Sequence, residues 1–216
     1  MSKSIVVVDY GIGNVFSVCN ALKQAGCEPN LTRSASDVLS ADKVILPGVG
    51  AFGRAIAALR DLGLDETLRR FVETERPFLG ICIGMQLLMD QSTEFGENTG
   101  LGFIPGIVDR IPGTGTDGAP LRVPHISWGE VRPAENVSGE DWAATPVANG
   151  GAHDSFYFVH SFHCTPSDPA HRLAVVDYGG NAITAAVRRD NLMGVQFHPE
   201  RSGPAGLGFL ERFINL

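Results

Sequence analysis

Short β-branched runs alternate with segments of helical period through the first half of the chain, and this alternation limits the fold more than any other feature. Ser4–Asp9 reads as a buried strand running into a glycine-rich turn. Asn14–Ala25 follows, with Val15, Val18, Cys19, Leu22 and Ala25 spaced as on one helical face. Gly26 stands where a helix end favours glycine. Lys43–Leu46 is a second strand, stopped by Pro47-Gly48, and Arg54–Leu62 and Leu64–Glu75 read as helices. Pro77–Cys82 is a third strand, and Ile83–Met89 begins a helix. The pattern predicts an α/β fold, a three-layer sandwich whose central, mostly parallel sheet carries helices on both faces.

The second half changes character. Gly113–Pro120 and Pro133–Gly151 read as loops rich in Gly, Pro and small residues. Phe156–His163, Leu173–Asp177, Ala182–Arg188 and Met193–Phe197 read as additional antiparallel or mixed strands, and Gly206–Ile214 as a closing helix. No linker separates two parts and no repeat is visible, so residues 1–216 are expected to form one domain.

Charge narrows the function. With 17 basic and 24 acidic residues the net charge is −7, and Lys and Arg are scattered. A nucleic-acid surface needs a basic stripe, so no nucleic-acid partner is expected. No segment reaches the ~20 apolar residues of a membrane span, and Met1–Asp9 does not have the build of a signal peptide. The four cysteines, Cys19, Cys27, Cys82 and Cys164, form no CxxC pair. Reduced thiols in a cytoplasmic protein are expected, without a metal or other cofactor.

Cys82 stands apart from the other three. In Pro77-Phe-Leu-Gly80-Ile-Cys82-Ile-Gly84-Met-Gln86 an apolar strand runs into the cysteine and a helical run leaves it, with glycine two residues to either side. That is the layout of a nucleophile elbow, with sulfur in place of the serine oxygen. It presents the thiol at the end of the sheet, and the helix N-terminus favours thiolate, the reactive species. Cys19, Cys27 and Cys164 are read as core cysteines, the ordinary fate of a free thiol.

A thiol nucleophile needs a base, and the base needs an orienting group. Met193-Gly-Val-Gln-Phe-His198-Pro-Glu200 offers both, because residues two apart in extended chain point the same way. His125, His153, His160, His163 and His171 show no such companion, and His160 and His163 are not read as a metal pair. The loop Leu46-Pro-Gly-Val49-Gly50-Ala-Phe52 has glycines that would let backbone N–H groups turn toward an oxyanion. Gly11-Ile-Gly13-Asn14 lacks the third glycine of a dinucleotide fingerprint, since position 16 is Phe.

Taken together, Gly80–Gln86 and His198-Pro-Glu200 resemble the two signature motifs of the class I, triad-type glutamine amidotransferases. Within that class the chain resembles the glutaminase subunits of imidazole glycerol phosphate synthase. The likeness rests on Asp9–Asn14, Leu46–Phe52, Val123–Trp128, Tyr157–Phe162 and Gly194–Ser202, which span the chain nearly end to end. It implies glutamine hydrolysis to glutamate and ammonia, with Cys82 as nucleophile, His198 as general base and then acid, and Glu200 as orienting carboxylate. It implies glutamine binding by Gly50, Gln86 and Glu94, with Val49 in the oxyanion loop and Tyr157, His160 and Ser161 on the strand lining the site. It further implies a heterodimer with a (β/α)8-barrel cyclase, met by Asn14 and Arg201. That partner would take the ammonia to make imidazole glycerol phosphate and an aminoimidazole carboxamide ribotide in histidine biosynthesis.

Four features depart from the family pattern. Ile126-Ser127-Trp128 stands where Met-Gly-Trp is commoner, Phe162 replaces a common tyrosine, Arg201 a common lysine, and Val131–Ser155 is longer than usual. A glutaminase serving another pathway, a catalytically silent docking module, and a cysteine peptidase or γ-glutamyl hydrolase are the competing readings. The first is opposed by Asp9–Asn14 and Val123–Trp128, the second by the intact triad. The third leaves Gln86 and Glu94 unexplained.

Overall fold

The apolar runs of the sequence come together as one nine-stranded sheet in the computed structural model, which describes residues 4–148 and 155–216. The elements of the first half are β1 (Ile5–Val8), α1 (Val15–Gln24), β2 (Asn30–Thr32), α2 (Ala35–Ser40), β3 (Lys43–Gly48), α3 (Phe52–Asp61), α4 (Leu64–Val72), β4 (Phe78–Cys82) and α5 (Ile83–Gln86). The second half adds β5 (Gln91–Ser92), β6 (Asn98–Thr99), β7 (Gly106–Arg110), β8 (His125–Pro133), α6 (Gly139–Ala143), β9 (Ser155–His160), β10 (Phe162–Pro166), β11 (Arg172–Tyr178), β12 (Asn181–Arg189), β13 (Leu192–Val195) and α7 (Gly203–Asn215).

The large sheet runs β2-β1-β3-β4-β13-β12-β11-β8-β9. From β2 to β13 neighbouring strands are parallel, and from β13 to β9 they are antiparallel. The parallel half is buried on both faces, and all residues of β1, β3 and β4 are withdrawn from solvent. Right-handed crossovers put α1 on one face and α2, α3 and α4 on the other. The contacts agree, since α1 packs on α7, α2 on α4 and α4 on α3. A second sheet, β10-β7-β5-β6, closes one flank.

Local chemistry explains the element ends. Helix α4 buries Leu64, Thr67, Leu68 and Phe71, the i, i+3, i+4, i+7 face. Ser34 caps α2 through the Asp37 N–H, and Gly26 leaves α1 in the left-handed conformation at φ +87°. Several expected elements are shifted. Phe156–His163 is broken at Ser161 into β9 and β10, which belong to different sheets. The helix after Cys82 is a single turn, tightening into i+3 bonds at Leu88 and Met89. Pro133–Gly151, read as loop, contains α6, capped by Ser138. Residues 149–154, which include His153, lie outside the described residues. Cys19 and Cys164 are buried as expected, whereas Cys27 is only partly buried against the core.

The chain reverses direction across the sheet between β1 and β3, because β2 lies to one side of β1 and β3, β4 and β13 follow on the other. Such a switch point leaves a crevice at the carboxyl ends of the strands, where open α/β sheets bind their ligands. The loops leaving β1, β3 and β13 carry Asn14, Val49 and His198, and Cys82 is the last residue of β4.

Candidate active site

A cavity of about 350 Å³ opens at this crevice, and Cys82, Glu94, His198 and Glu200 are among its lining residues. Cys82 ends β4 at φ +54°, ψ −109°, a backbone state that side chains other than glycine rarely adopt. Its two flanking glycines are required for space. A Cβ on Gly84 would lie 1.8 Å from the Leu46 carbonyl oxygen, and one on Gly80 2.6 Å from that of Gly84. The register Gly194↔Gly80 and Gly48↔Cys82 sets the neighbouring strands around this turn. Because α5 is one turn long, any help it gives a thiolate comes from its first N–H groups and not from a long helix dipole.

His198 follows β13 and is pinned at its backbone. Its N–H donates to the Tyr157 carbonyl at 3.0 Å, and Ser202 Oγ donates to its carbonyl at 2.7 Å. Pro199–Arg201 then forms a 3-10 turn that brings Glu200 back to the ring, with Nδ1 2.8 Å from Oε1. Nε2 is buried without a hydrogen-bond partner, so it is the nitrogen left for the Cys82 thiol in the same cavity. Burial works to lower the pKa of His198. The Cys82 sulfur and the Glu200 carboxylate outweigh it and lift the imidazole to about 10.

The other residues singled out in the sequence fall into two groups. Val49, Gly50, Gln86, Glu94, His160 and Ser161 line the cavity together with Asn14 and Arg201. Gly50 holds φ +92° with open space where a Cβ would be, so conformation and not crowding selects glycine there. Glu94 Oε2 accepts the N–H of Phe52 at 2.6 Å, which satisfies the start of α3. Tyr157 is not among the lining residues. Its ring lies beneath the Arg201 guanidinium at 4.3 Å and meets Trp128 edge-on at 6.1 Å, on the outer side of the strand.

Three residues escaped the sequence reading. Gln196 is fully buried, and its Nε2 lies 3.6 Å from Cys82 Sγ while its Oε1 accepts from Gln86 at 3.0 Å. Its place two residues before His198 on an extended segment was the available signal. Tyr10 is buried under the β3 loop with an unpartnered hydroxyl, its pKa raised by burial and then by the nearby Cys82 charge. His125, read as having no companion, instead pairs with His160 at 3.1 Å. The two are far apart in sequence, and only the antiparallel register His125↔His160 joins them.

This arrangement can attack a carbonyl with sulfur and move a proton through an oriented imidazole. The sequence model of the family "Glutamine amidotransferase class-I" matches residues 6–216. The chain is 42% identical over 213 residues to "Imidazole glycerol phosphate synthase subunit HisH 1" of Legionella pneumophila strain Lens, covering 99% of each. It is 43% identical to the HisH subunit of Synechococcus elongatus, covering 97% of this chain and 92% of the relative. Among solved structures, PurLQS from Thermotoga maritima superposes with TM-score 0.72 at 21% identity, over 100% of this chain and 98% of the other, a likeness of fold. A further structure described as a glutamine amidotransferase gives TM-score 0.67 at 20% identity, over 98% and 99% of the two chains. The chain belongs to the class-I glutamine amidotransferase family.

Proposed function

We propose that this chain, folded as one domain over residues 1–216, is the glutaminase subunit of an imidazole glycerol phosphate synthase in histidine biosynthesis. The observation that carries the reading is the nucleophile at φ +54° sharing one cavity with an imidazole already oriented by a carboxylate. The Cys82 thiolate attacks the side-chain amide carbon of glutamine, and backbone N–H groups of the Val49–Gly50 loop receive the oxyanion. His198 gives its proton to the amide nitrogen, the C–N bond breaks and ammonia leaves. Water then adds to the glutamyl thioester with His198 taking its proton, the C–S bond breaks, and glutamate departs with the sulfur restored. Glu200 orients the imidazole throughout. Gln86, His160 and Ser161 shape the glutamine site, and Glu94 holds the start of α3 beside it. No metal or cofactor enters any step.

The partner in this reading is a (β/α)8-barrel cyclase, and the compartment is the cytoplasm. No helix among the described residues is long and apolar enough to cross a membrane. Ile126 and Trp128, 57% and 56% exposed, lie on one face of β8 near Tyr157 and Arg201, and Asn14 lies at the mouth of the cavity. That face is the docking surface. Ammonia is protonated in bulk water at neutral pH, so a sealed passage into the partner keeps it nucleophilic.

The test is glutamine-dependent glutamate release by the chain alone, then with the cyclase and its ribotide ligand. Turnover that rises strongly in the complex is the expected result. Equal activity in both would show that the chain hydrolyses glutamine without help from its partner. No turnover in either, with the cyclase shown to bind, would leave a docking module.

A further inference from the structure

Glu94 stands in the turn that joins β5 to β6, and one side chain at the base of that hairpin reaches back to hold it. Asn98 lies opposite Ser92 in the antiparallel register. Its Nδ2 donates to the Glu94 carbonyl at 2.9 Å and to the Gly96 carbonyl at 3.0 Å. Both acceptors are carbonyl oxygens, so both amide hydrogens are in use and the orientation of the amide is set. A hydroxyl has one hydrogen and a carboxylate none, so neither could serve both carbonyls. The other bonds of the turn are longer, from the Glu94 N–H to Ser92 Oγ at 3.2 Å and from the Gly96 N–H to the Thr93 carbonyl at 3.4 Å.

This turn needs holding. Phe95, between the two clamped carbonyls, sits at φ +53°, a left-handed state that is strained for an aromatic residue. Its side chain is 92% exposed, so no packing of its own offsets that strain. Glu94 faces the other way. It lines the cavity, and its Oε2 accepts the Phe52 N–H at 2.6 Å. The turn thus sends residue 94 inward and residue 95 outward.

Helix α3 leaves room for the clamp. A Cβ on Gly53 would lie 2.6 Å from Asn98 Oδ1, 3.1 Å from its Cγ and 3.4 Å from its Nδ2, and these are the three nearest atoms. Gly53 is the second residue of α3 and does not have a positive φ. Its conformation therefore does not call for glycine, and the approach of Asn98 does.

We propose that Asn98 is a positioning residue, whose amide clamps the Glu94–Gly96 turn against α3 and so holds the Glu94 carboxylate both at the Phe52 N–H and in the glutamine site. The proposal rests on the glutaminase reading, in which Glu94 helps to bind glutamine. Asn98 is not among the lining residues of the cavity and acts only through Glu94. A contact made alike to substrate and transition state is read in KM and not in kcat.

Amide hydrogen exchange at Phe52 in the chain alone reports on the Glu94 carboxylate and needs no turnover. Asn98→Ala should speed it about tenfold, the scale of one hydrogen bond. Asn98→Asp keeps the shape without the donors and should speed it at least as much, whereas a packing role would leave it like wild type. Gly53→Ala should act in the same direction although alanine favours the helix, because its methyl group displaces the Asn98 side chain. Once Asn98 is Ala that methyl meets no amide, so the double variant should match Asn98→Ala and not the sum of the two. In the complex with the cyclase the same variants should raise KM for glutamine about tenfold, with kcat within about twofold of wild type. Unchanged Phe52 exchange in Asn98→Ala, wild-type behaviour of Asn98→Asp, additive effects in the double variant, or a fall in kcat at unchanged KM overturns the proposal. If the wild-type complex fails to hydrolyse glutamine, the glutaminase reading fails, and Phe52 exchange still decides whether Asn98 holds Glu94.

Discussion

Nδ1 of His198 and Oε1 of Glu200 stand 2.8 Å apart, with side-chain exposures of only 5% and 2%. The carboxylate therefore fixes both the orientation and the tautomer of the ring. Glu200→Gln keeps the shape but offers an amide that can present its N–H to the ring. Glutamine hydrolysis should fall by about 10³–10⁴ with the fold intact, as checked by single-turnover glutamate release and by melting temperature.

The same pair sets a pH dependence. Burial opposes the charged ring, but Cys82 and Glu200 raise its pKa to about 10 in the fold, against about 6.5 for a free imidazole. A raised folded-state pKa means that the stabilisation is full below about pH 6.5 and is lost as pH rises through about 10. Denaturant titrations across that window should show wild type losing stability relative to Glu200→Gln, which removes one of the raising contacts. Parallel curves would contradict the assignment.

Replacing Cys82 by Ala should abolish hydrolysis and labelling by a glutamine-like electrophile, while cyclase binding persists. The substitution removes the attacking atom and also relieves little else, since Ala at φ +54° remains strained. Loss of cooperative unfolding in this variant would reveal a structural cysteine instead.

Two glycines of the site should fail in different ways. At Gly84 a Cβ would collide with a backbone oxygen 1.8 Å away in the middle of the sheet. Gly84→Ala is expected to unfold the protein or destabilise it by about 3 kcal/mol or more. At Gly50 there is open space and only φ +92° to oppose a side chain. Gly50→Ala should cost about 1–2 kcal/mol of stability yet impair turnover, because it restricts the loop that receives the oxyanion. Chemical denaturation alongside kinetics separates the two.

Docking is expected to depend on the outer face of β8. Trp128→Ala and Ile126→Ala should each weaken cyclase affinity about ten- to thirtyfold, measured by calorimetry. Reactivity of Cys82 in the isolated chain should stay unchanged.

The parallel half of the fold was legible because each strand and helix carries its own pattern. β1 differs from the expected Ser4–Asp9 by one residue at each end, and α1 from Asn14–Ala25 likewise. What escaped had too little local signal. β2, β5 and β6 are two or three residues long, and α2 and α6 are held by Ser caps more than by apolar period. The triad candidates were visible from Gly80–Gly84 and His198–Glu200, since their partners lie within a few residues. Gln196 on the sulfur had only its spacing two residues before His198 to mark it, and the His125–His160 pair depends on strands meeting across the chain, which no local pattern announces. Ser127, which stands where the family commonly has glycine, has a partner in His125.

The alternation along β8 places two separate sets of constraints on one strand. Positions 126 and 128 can drift with whatever surface they meet, since nothing of the interior depends on them. Positions 125 and 127 are tied to hydrogen bonds of the interior and change only at their expense. Point substitutions can therefore alter the outer face while the interior stands still. A one-residue insertion between Pro120 and His125 that slipped the strand would exchange the two sets and destroy both at once.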